Sequence, residues 1–162
     1  MGKKIHYVLI FLMVLGILDS AYLAYLHYSG SSSKFCQELG NFDCDLVNKS
    51  SFSELTGILD YFGIDFYLPI PNSVLGIIAF SIMLGINILL INNIRILGHK
   101  FSKKELYAAL LVLSIISFVF GLFLVYIQEF VLRAWCLFCL IMDLIILLNL
   151  ILVFLLKNRK FR

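Results

Sequence analysis

Four long apolar stretches constrain the fold of this 162-residue chain more than any other feature. They occupy residues 7–28, 73–91, 107–127 and 136–156. Each can cross roughly 30 Å of hydrocarbon as a helix of about 20 residues. Hydrocarbon offers the backbone no hydrogen-bond partners, and the stretches lack the alternation of barrel strands, so helices are the workable solution. We therefore expect an all-α membrane protein, a single domain over 1–162 whose four transmembrane helices form one bundle.

Basic residues predict how the bundle is oriented. Three lie on one side, Lys34, Lys49 and Arg133, and ten on the other: Lys3, Lys4, Arg95, Lys100, Lys103, Lys104, Lys157, Arg159, Lys160 and Arg162. Because basic loops are retained in the cytoplasm, both termini and the 92–104 loop are expected there. The 29–71 loop, the 128–135 connection and all four cysteines are then extracytoplasmic. The net charge of +3 follows from this asymmetry and gives no reason to predict nucleic-acid binding.

Lys3 and Lys4 before an apolar run are also typical of a secretory signal peptide. The run is long, however, and residues 29–33 lack a convincing small-x-small cleavage site. We therefore expect an uncleaved first helix in a multi-pass protein. The Ile, Lys and Asn content favours a prokaryotic cell membrane.

The 29–71 loop contains a segment with helical spacing. Its apolar residues are Phe52, Leu55, Ile58, Leu59 and Phe62. Three serines, Ser50, Ser51 and Ser53, are potential N-caps and Gly63 is a stop signal, so a short amphipathic helix is predicted. This helix would either cap the mouth of the bundle or rest on the membrane as a connector with no catalytic part.

Four cysteines form two pairs, Cys36 with Cys44 in the polar loop and Cys136 with Cys139 at the predicted start of the fourth helix. The second pair would share a helix face, where free backbone N–H groups can stabilise a thiolate. Since disulfides persist outside the cytoplasm, two dithiols there indicate electron transfer by thiol–disulfide exchange. Cys36 is expected to be the mobile, exposed end of that system. A zinc site and structural disulfides are the alternatives, although neither pair has a His beside it.

Two carboxyl groups lie inside the predicted helices. Asp143 continues the face of Cys136 and Cys139 roughly 10 Å into the hydrocarbon, and Asp19 lies at a comparable depth. Ionisable groups at that depth are costly and are treated as functional by default, here as proton donors to a reacting group. The alternative is that they satisfy Tyr, Ser or each other between helices.

Several short motifs follow one another in the order and spacing of a known family. They are Asp19-Ser20 and Tyr22-Leu23, Cys36-x7-Cys44, Ser50-Ser51, Asn72-Ser73-x-x-Gly76 and Cys136-x-x-Cys139. Together they make the chain similar to the vitamin K epoxide reductase family in its stand-alone form, which lacks a fused thioredoxin-like domain. The resemblance covers most of the sequence. It implies a four-helix bundle around a quinone pocket at the extracytoplasmic end.

The resemblance also implies roles for individual residues. Cys139 would face the quinone, Cys136 would exchange with Cys44, and Cys36 would meet the reduced partner protein. Asn72 would donate a hydrogen bond in the pocket. Many relatives have a hydroxyl-bearing residue where this chain has Asp143, so the way the quinone carbonyl is held departs from the family pattern. The quinone itself stays open between menaquinone, ubiquinone and vitamin K, and no metal is expected.

The function implied is that of a membrane thiol:quinone oxidoreductase supporting disulfide bond formation. It would take electrons from a thioredoxin-like oxidant of secreted proteins and deliver them to quinone in the membrane lipid. Two alternatives stay open. One is reduction of vitamin K epoxide or quinone for its own sake, and the other is a non-catalytic membrane scaffold with structural disulfides.

Overall fold

Four long helices dominate the structure, a computed structural model that describes residues 2–33, 36, 38, 42–92 and 102–160. In chain order the helices are α1 (Gly2–Ser29), α2 (Cys44–Lys49), α3 (Leu55–Tyr61), α4 (Asn72–Asn92), α5 (Lys103–Tyr126) and α6 (Leu137–Lys160). A 3₁₀ turn, Ser51–Ser53, precedes α3, and a π-helical segment, Ile127–Leu132, extends α5. Helices α1, α4, α5 and α6 are each long and apolar enough to cross a membrane. The predicted fold class is therefore confirmed.

The predicted spans and the observed helices differ at their ends. The first helix begins at Gly2, well before residue 7, and the third continues beyond 127 into the π-helical segment. The fourth begins at Leu137, so Cys136 precedes the helix and does not lie within it. This last difference matters for the chemistry, because the side chain of Cys136 branches from a backbone position that is not yet helical.

The bundle packs around α1, which lies against α4 and α6, while α5 lies against α4 and α6 on the other side. Close approach is possible where side chains are small. Gly16 faces the ring of Phe80 and Gly76 faces Ser20, so an added Cβ at either glycine would collide with its neighbour. Ser20 in turn donates a hydrogen bond to the sulfur of Met142 over 3.1 Å. Small residues at helix interfaces are the usual device for close packing in membranes.

A buried hydrogen-bond network joins three helices at the end of the bundle opposite the cysteines. His6 Nδ1 lies 2.6 Å from Asn87 Oδ1, and His6 Nε2 lies 3.0 Å from the Tyr107 hydroxyl. Asn87 Nδ2 also donates to the His6 carbonyl over 3.1 Å. Because His6 and Asn87 use their polar atoms on each other, the network ties α1 to α4 and α5 inside an otherwise apolar core.

Residues 42–71, here called the cap, lie across the cysteine end. The predicted amphipathic segment is present but divided into the 3₁₀ turn and α3. Ser50, one of the predicted caps, is the N-cap residue of the 3₁₀ turn, whereas the N-cap of α3 is Glu54, and neither side chain makes a capping bond. Gly63, with φ of 73°, ends the segment as predicted. Helix α2 was not predicted, although Asp43 caps it by accepting a hydrogen bond from the Leu46 N–H over 2.9 Å.

Polar contacts hold the cap on the bundle. His27 near the end of α1 makes two of them, with the Asn48 carbonyl at 2.8 Å through Nδ1 and with Glu54 at 3.3 Å through Nε2. Asn48 Nδ2 donates to the Leu23 carbonyl over 3.0 Å. The cap also contributes the side of a cavity described below, so the structure favours a cover for the bundle over a detached connector.

Candidate functional site

The two cysteine pairs are in different redox states. Cys36 and Cys44 form a disulfide with a Cα–Cα distance of 6.0 Å, whereas Cys136 and Cys139 are free thiols. Cys36 is 0% exposed and Cys44 1% exposed. The prediction that Cys36 is the exposed end was therefore wrong. A disulfide in this position also removes two thiolates from any zinc site, since a metal ligand must be the reduced sulfur.

The cap brings the two pairs into one cluster. The backbone N–H of Asp43 donates to the Trp135 carbonyl over 2.9 Å, and the next residues of the two segments are Cys44 and Cys136. Cys36, Cys44 and Cys136 belong to the same cluster of buried residues, with Cys139 packed against it. The segments that carry the disulfide and the dithiol are therefore neighbours, as thiol–disulfide exchange requires.

Cys136 is the N-cap of α6. Its carbonyl accepts the Leu140 N–H over 3.1 Å, and its sulfur accepts the Cys139 N–H over 3.3 Å. A side-chain acceptor on the third N–H of a helix is the usual capping arrangement, here with sulfur in the place of oxygen. The sequence predicted that both cysteines share a helix face. Instead, Cys136 caps the helix that Cys139 occupies, and its sulfur lies beside the Cys139 backbone.

Gln128 is a site residue that the sequence analysis missed. It lies in the π-helical segment, is 2% exposed, and its Oε1 accepts the Cys136 N–H over 2.9 Å. The segment ends at Arg133, whose φ of 51° turns the chain back toward α6. A π-helix inserts extra chain into a helical turn and is often found at functional sites. No periodicity in the sequence signals this insertion, since the helix residues that precede it are mainly apolar on every face.

Two adjoining cavities lie behind the dithiol. The smaller one, about 50 Å³, is lined by Cys139 and Gln128 together with residues of the cap such as Asn48 and Phe52. The larger one, about 280 Å³, lies between α4, α5 and α6 and has mainly apolar walls. The residues that line both are Asn72, Leu124, Met142 and Asp143. A small chamber next to a thiol, with several polar side chains in a mainly apolar wall, therefore continues into a larger apolar chamber deeper in the bundle.

Buried polar atoms without partners face this region. In the described part of the chain they include Asn72 Oδ1 and Ser73 Oγ, both on residues that line the smaller cavity. Asn72 Nδ2 donates to the Phe52 carbonyl over 2.8 Å, so the atom it leaves without a partner is an acceptor. Buried polar atoms are normally satisfied, and unsatisfied ones at a cavity indicate a ligand with complementary polar groups.

Asp143 lines both cavities, and no described residue gives it a hydrogen bond. Gly121 on α5 makes room for it, because a Cβ at that position would collide with Asp143 Oδ1. Asp19 does not line the cavities, and its Oδ2 is buried without a partner in the described chain. Asp143 shares the wall of the smaller cavity with Cys139. The hydrogen bonds to Tyr, Ser or each other that the structural alternative required are not found among the described residues.

Comparison with known proteins identifies a family for the fold and site. Residues 7–154 match the model of the vitamin K epoxide reductase family. No curated protein matches the chain significantly. The matched range contains both cysteine pairs, Asn72, Gln128 and Asp143, and so covers the whole site.

Proposed function

The chain belongs to the vitamin K epoxide reductase family, and we propose that it is a thiol:quinone oxidoreductase supporting disulfide bond formation. Family membership and the four apolar helices make it an integral, multi-pass membrane oxidoreductase. The proposal adds the direction and the carriers of the electrons. A reduced thioredoxin-like partner would supply them, and a quinone of the membrane would receive them.

One observation carries the proposal: Cys139 of the free dithiol lines a cavity, while Cys136 follows a segment bonded to the one that bears Cys44. The dithiol thus has a cavity on one side and a disulfide on the other. Structural disulfides alone would explain neither the two free thiols nor the cavity at one of them.

The relay can be written as balanced exchange steps. A partner thiolate attacks the Cys36–Cys44 disulfide, and resolution leaves the partner oxidised and this pair as thiols. Cys44 then attacks Cys136 of an oxidised Cys136–Cys139 pair, which releases Cys139 as a thiolate. Cys36 resolves the Cys44–Cys136 bridge, and Cys136 leaves as a thiolate that takes up a proton. These steps leave the loop pair as a disulfide and the second pair as thiols, and the same pairing in the structure supports the proposal.

The residues around the cavities fit a quinone. Its headgroup is flat and mainly apolar, with oxygens that accept hydrogen bonds, and the unpartnered Ser73 hydroxyl can donate one to them. The free Oδ1 of Asn72 is an acceptor and suits a hydroxyl of the quinol product. The larger chamber has the apolar walls that an isoprenoid chain requires. When bound, a quinone accepts two electrons and two protons. The dithiol gives up the same number of each, so the overall reaction consumes no free proton.

Asp143 is proposed as the proton donor of this step. It lines the cavity, lies one helical turn beyond Cys139, and has no hydrogen bond to a described residue that would occupy it. A carboxyl group placed there can take the proton that leaves the thiol and pass it to an oxygen in the cavity. Asn72 and Cys139 complete the proposed quinone-binding set.

The positive-inside rule places the termini in the cytoplasm and the cysteine end outside. Partner proteins outside the cytoplasm would then reach the cap, and quinone would enter from lipid. A vitamin K epoxide is the alternative substrate for the same cavity, in keeping with the family's name.

The proposal is tested with the full chain in lipid nanodiscs. Dithiothreitol is the electron donor. Absorbance follows quinol formation from short-chain menaquinone or short-chain ubiquinone, and quinone formation from vitamin K epoxide, in separate reactions. We expect turnover with at least one quinone and none in Cys139→Ala. Absence of turnover in the wild type with either quinone would overturn the proposal, and turnover with the epoxide alone would establish the alternative.

A further inference from the structure

Gln128 connects the cavity to the reacting cysteine pair. Its side chain is 2% exposed and lines the smaller cavity together with Cys139. Its Oε1 accepts the backbone N–H of Cys136 over 2.9 Å, and its own carbonyl accepts the Ala134 N–H over 3.1 Å. One residue thus holds the short link between the π-helical segment and α6 at two points.

The orientation of the Gln128 amide follows from its partner. The Cys136 N–H is a donor, so the atom that faces it must be the amide oxygen. The amide nitrogen then carries two hydrogens, and no described residue accepts either of them. A buried amide with its acceptor used and its donors free is suited to a ligand that brings an acceptor, such as the carbonyl of a quinone.

The position of Cys136 depends on this contact. Cys136 precedes the first helical residue, so its N–H has no partner from the helix, and Gln128 is the partner it has. Its sulfur must meet Cys44 in one step and Cys139 in the other, which requires a fixed backbone from which the side chain can turn. Loss of the Gln128 oxygen would leave the buried Cys136 N–H without a hydrogen-bond partner.

We propose that Gln128 is a positioning residue that links occupancy of the cavity to the placement of Cys136. Its oxygen fixes the Cys136 backbone, and its nitrogen donates to a carbonyl oxygen in the cavity. Hydrogen bonds in a chain polarise one another. A hydrogen bond from the Gln128 amide nitrogen to a ligand oxygen therefore strengthens the hydrogen bond from the Cys136 N–H to the amide oxygen. The inference rests on the proposed quinone-dependent function and adds a residue outside the two cysteine pairs.

Two readouts test the inference without relying on turnover. The first is the rate at which a Cys44–Cys136 bridge accumulates in a Cys139→Ala background, measured by non-reducing mass spectrometry. The second is quenching by short-chain menaquinone or ubiquinone of the fluorescence of Trp135, which is the one tryptophan of the chain. The variants are Gln128→Met, which has similar length but no amide, and Gln128→Glu, which keeps an oxygen acceptor. The matched control is Glu129→Met, at an exposed neighbouring position.

We expect Gln128→Met to slow bridge formation about tenfold, and to weaken quinone binding by about threefold to tenfold, the value of one buried hydrogen bond. Gln128→Glu should restore the bridging rate to within about twofold, because a carboxyl oxygen can accept the Cys136 N–H whether protonated or not. A purely structural role would lower thermal stability without this selective rescue. If Gln128→Met does not fold, Gln128→Asn replaces it with the same expectation, since its shorter side chain cannot reach Cys136.

The inference would be overturned if Gln128→Met formed the Cys44–Cys136 bridge at the same rate as Glu129→Met and showed the same quenching by quinone. It would also be overturned if Gln128→Glu formed the bridge as slowly as Gln128→Met. Failure of the proposed function gives a different result, because the wild-type protein would then show neither quinone quenching nor quinol formation. Failure of the proposed function is therefore seen in the wild-type protein, whereas failure of the inference is seen only in the Gln128 variants.

Discussion

Replacement of Asp143 separates catalysis from binding in the proposed site. Asp143 lines both cavities, shares the smaller one with Cys139, and forms no hydrogen bond with a described residue. Asp143→Asn keeps the size and a hydrogen-bond donor but removes the transferable proton. Since general acid catalysis contributes about 10²–10⁴-fold, we expect turnover to fall by at least about 100-fold. Quinone affinity should change by less than about threefold, because the amide replaces one polar contact by another.

Asp143→Leu removes the polar contact as well. Loss of one hydrogen bond of about 0.5–1.5 kcal/mol predicts weaker quinone binding, by about twofold to tenfold, in addition to the loss of turnover. Stopped-flow quinol formation gives the rate, and Trp135 quenching gives the affinity. Asp60→Asn, at an exposed position of the cap, is the matched control and should behave as wild type. Unchanged rates with lowered thermal stability in both Asp143 variants would show that Asp143 is a packing residue and not a proton donor.

Two further predictions concern the ends of the molecule. Cys36→Ser should abolish oxidation of a reduced thioredoxin-like protein while quinol formation with dithiothreitol persists, and equal loss of both activities would remove the shuttle role of Cys36. Asn87→Leu should lower the free energy of unfolding by about 1–3 kcal/mol, because it breaks two hydrogen bonds and leaves His6 buried without them. Thermal unfolding in detergent measures this effect, and an unchanged midpoint would show that the network contributes no stability.

The sequence predicted the parts of the fold that depend on length and polarity. Four apolar stretches of helical length leave a membrane bundle as the workable fold, and the structure has four such helices. Gly63 ended the cap segment as expected, because left-handed backbone at a helix end favours glycine. These features are local, so the residues that form them also signal them.

Features that depend on tertiary contacts could not be predicted in the same way. Cys36 is buried in the same core cluster as Cys44 and Cys136, whereas the polar residues around it in the sequence indicated exposure. Cys136 caps α6 because Gln128, eight positions earlier, accepts its N–H, and that pairing needs the π-helical segment. The sequence indicated Asp143 by its predicted depth in the membrane and Asn72 by the family resemblance. Their meeting at the junction of two cavities results from the packing of both α4 and α6 against α1 and α5.

The central claim is that electrons pass from one cysteine pair to the other and then to quinone. Non-reducing mass spectrometry of Cys139→Ala tests the passage directly, because Cys136 in this variant can no longer pair with Cys139 and has Cys44 as its exchange partner. The account predicts that a Cys44–Cys136 bridge accumulates, and that wild-type protein reduced with dithiothreitol regains the oxidised Cys136–Cys139 pair on addition of quinone. Finding the Cys36–Cys44 disulfide alone in the variant under all redox conditions, with no quinone-driven reoxidation in the wild type, would contradict the account.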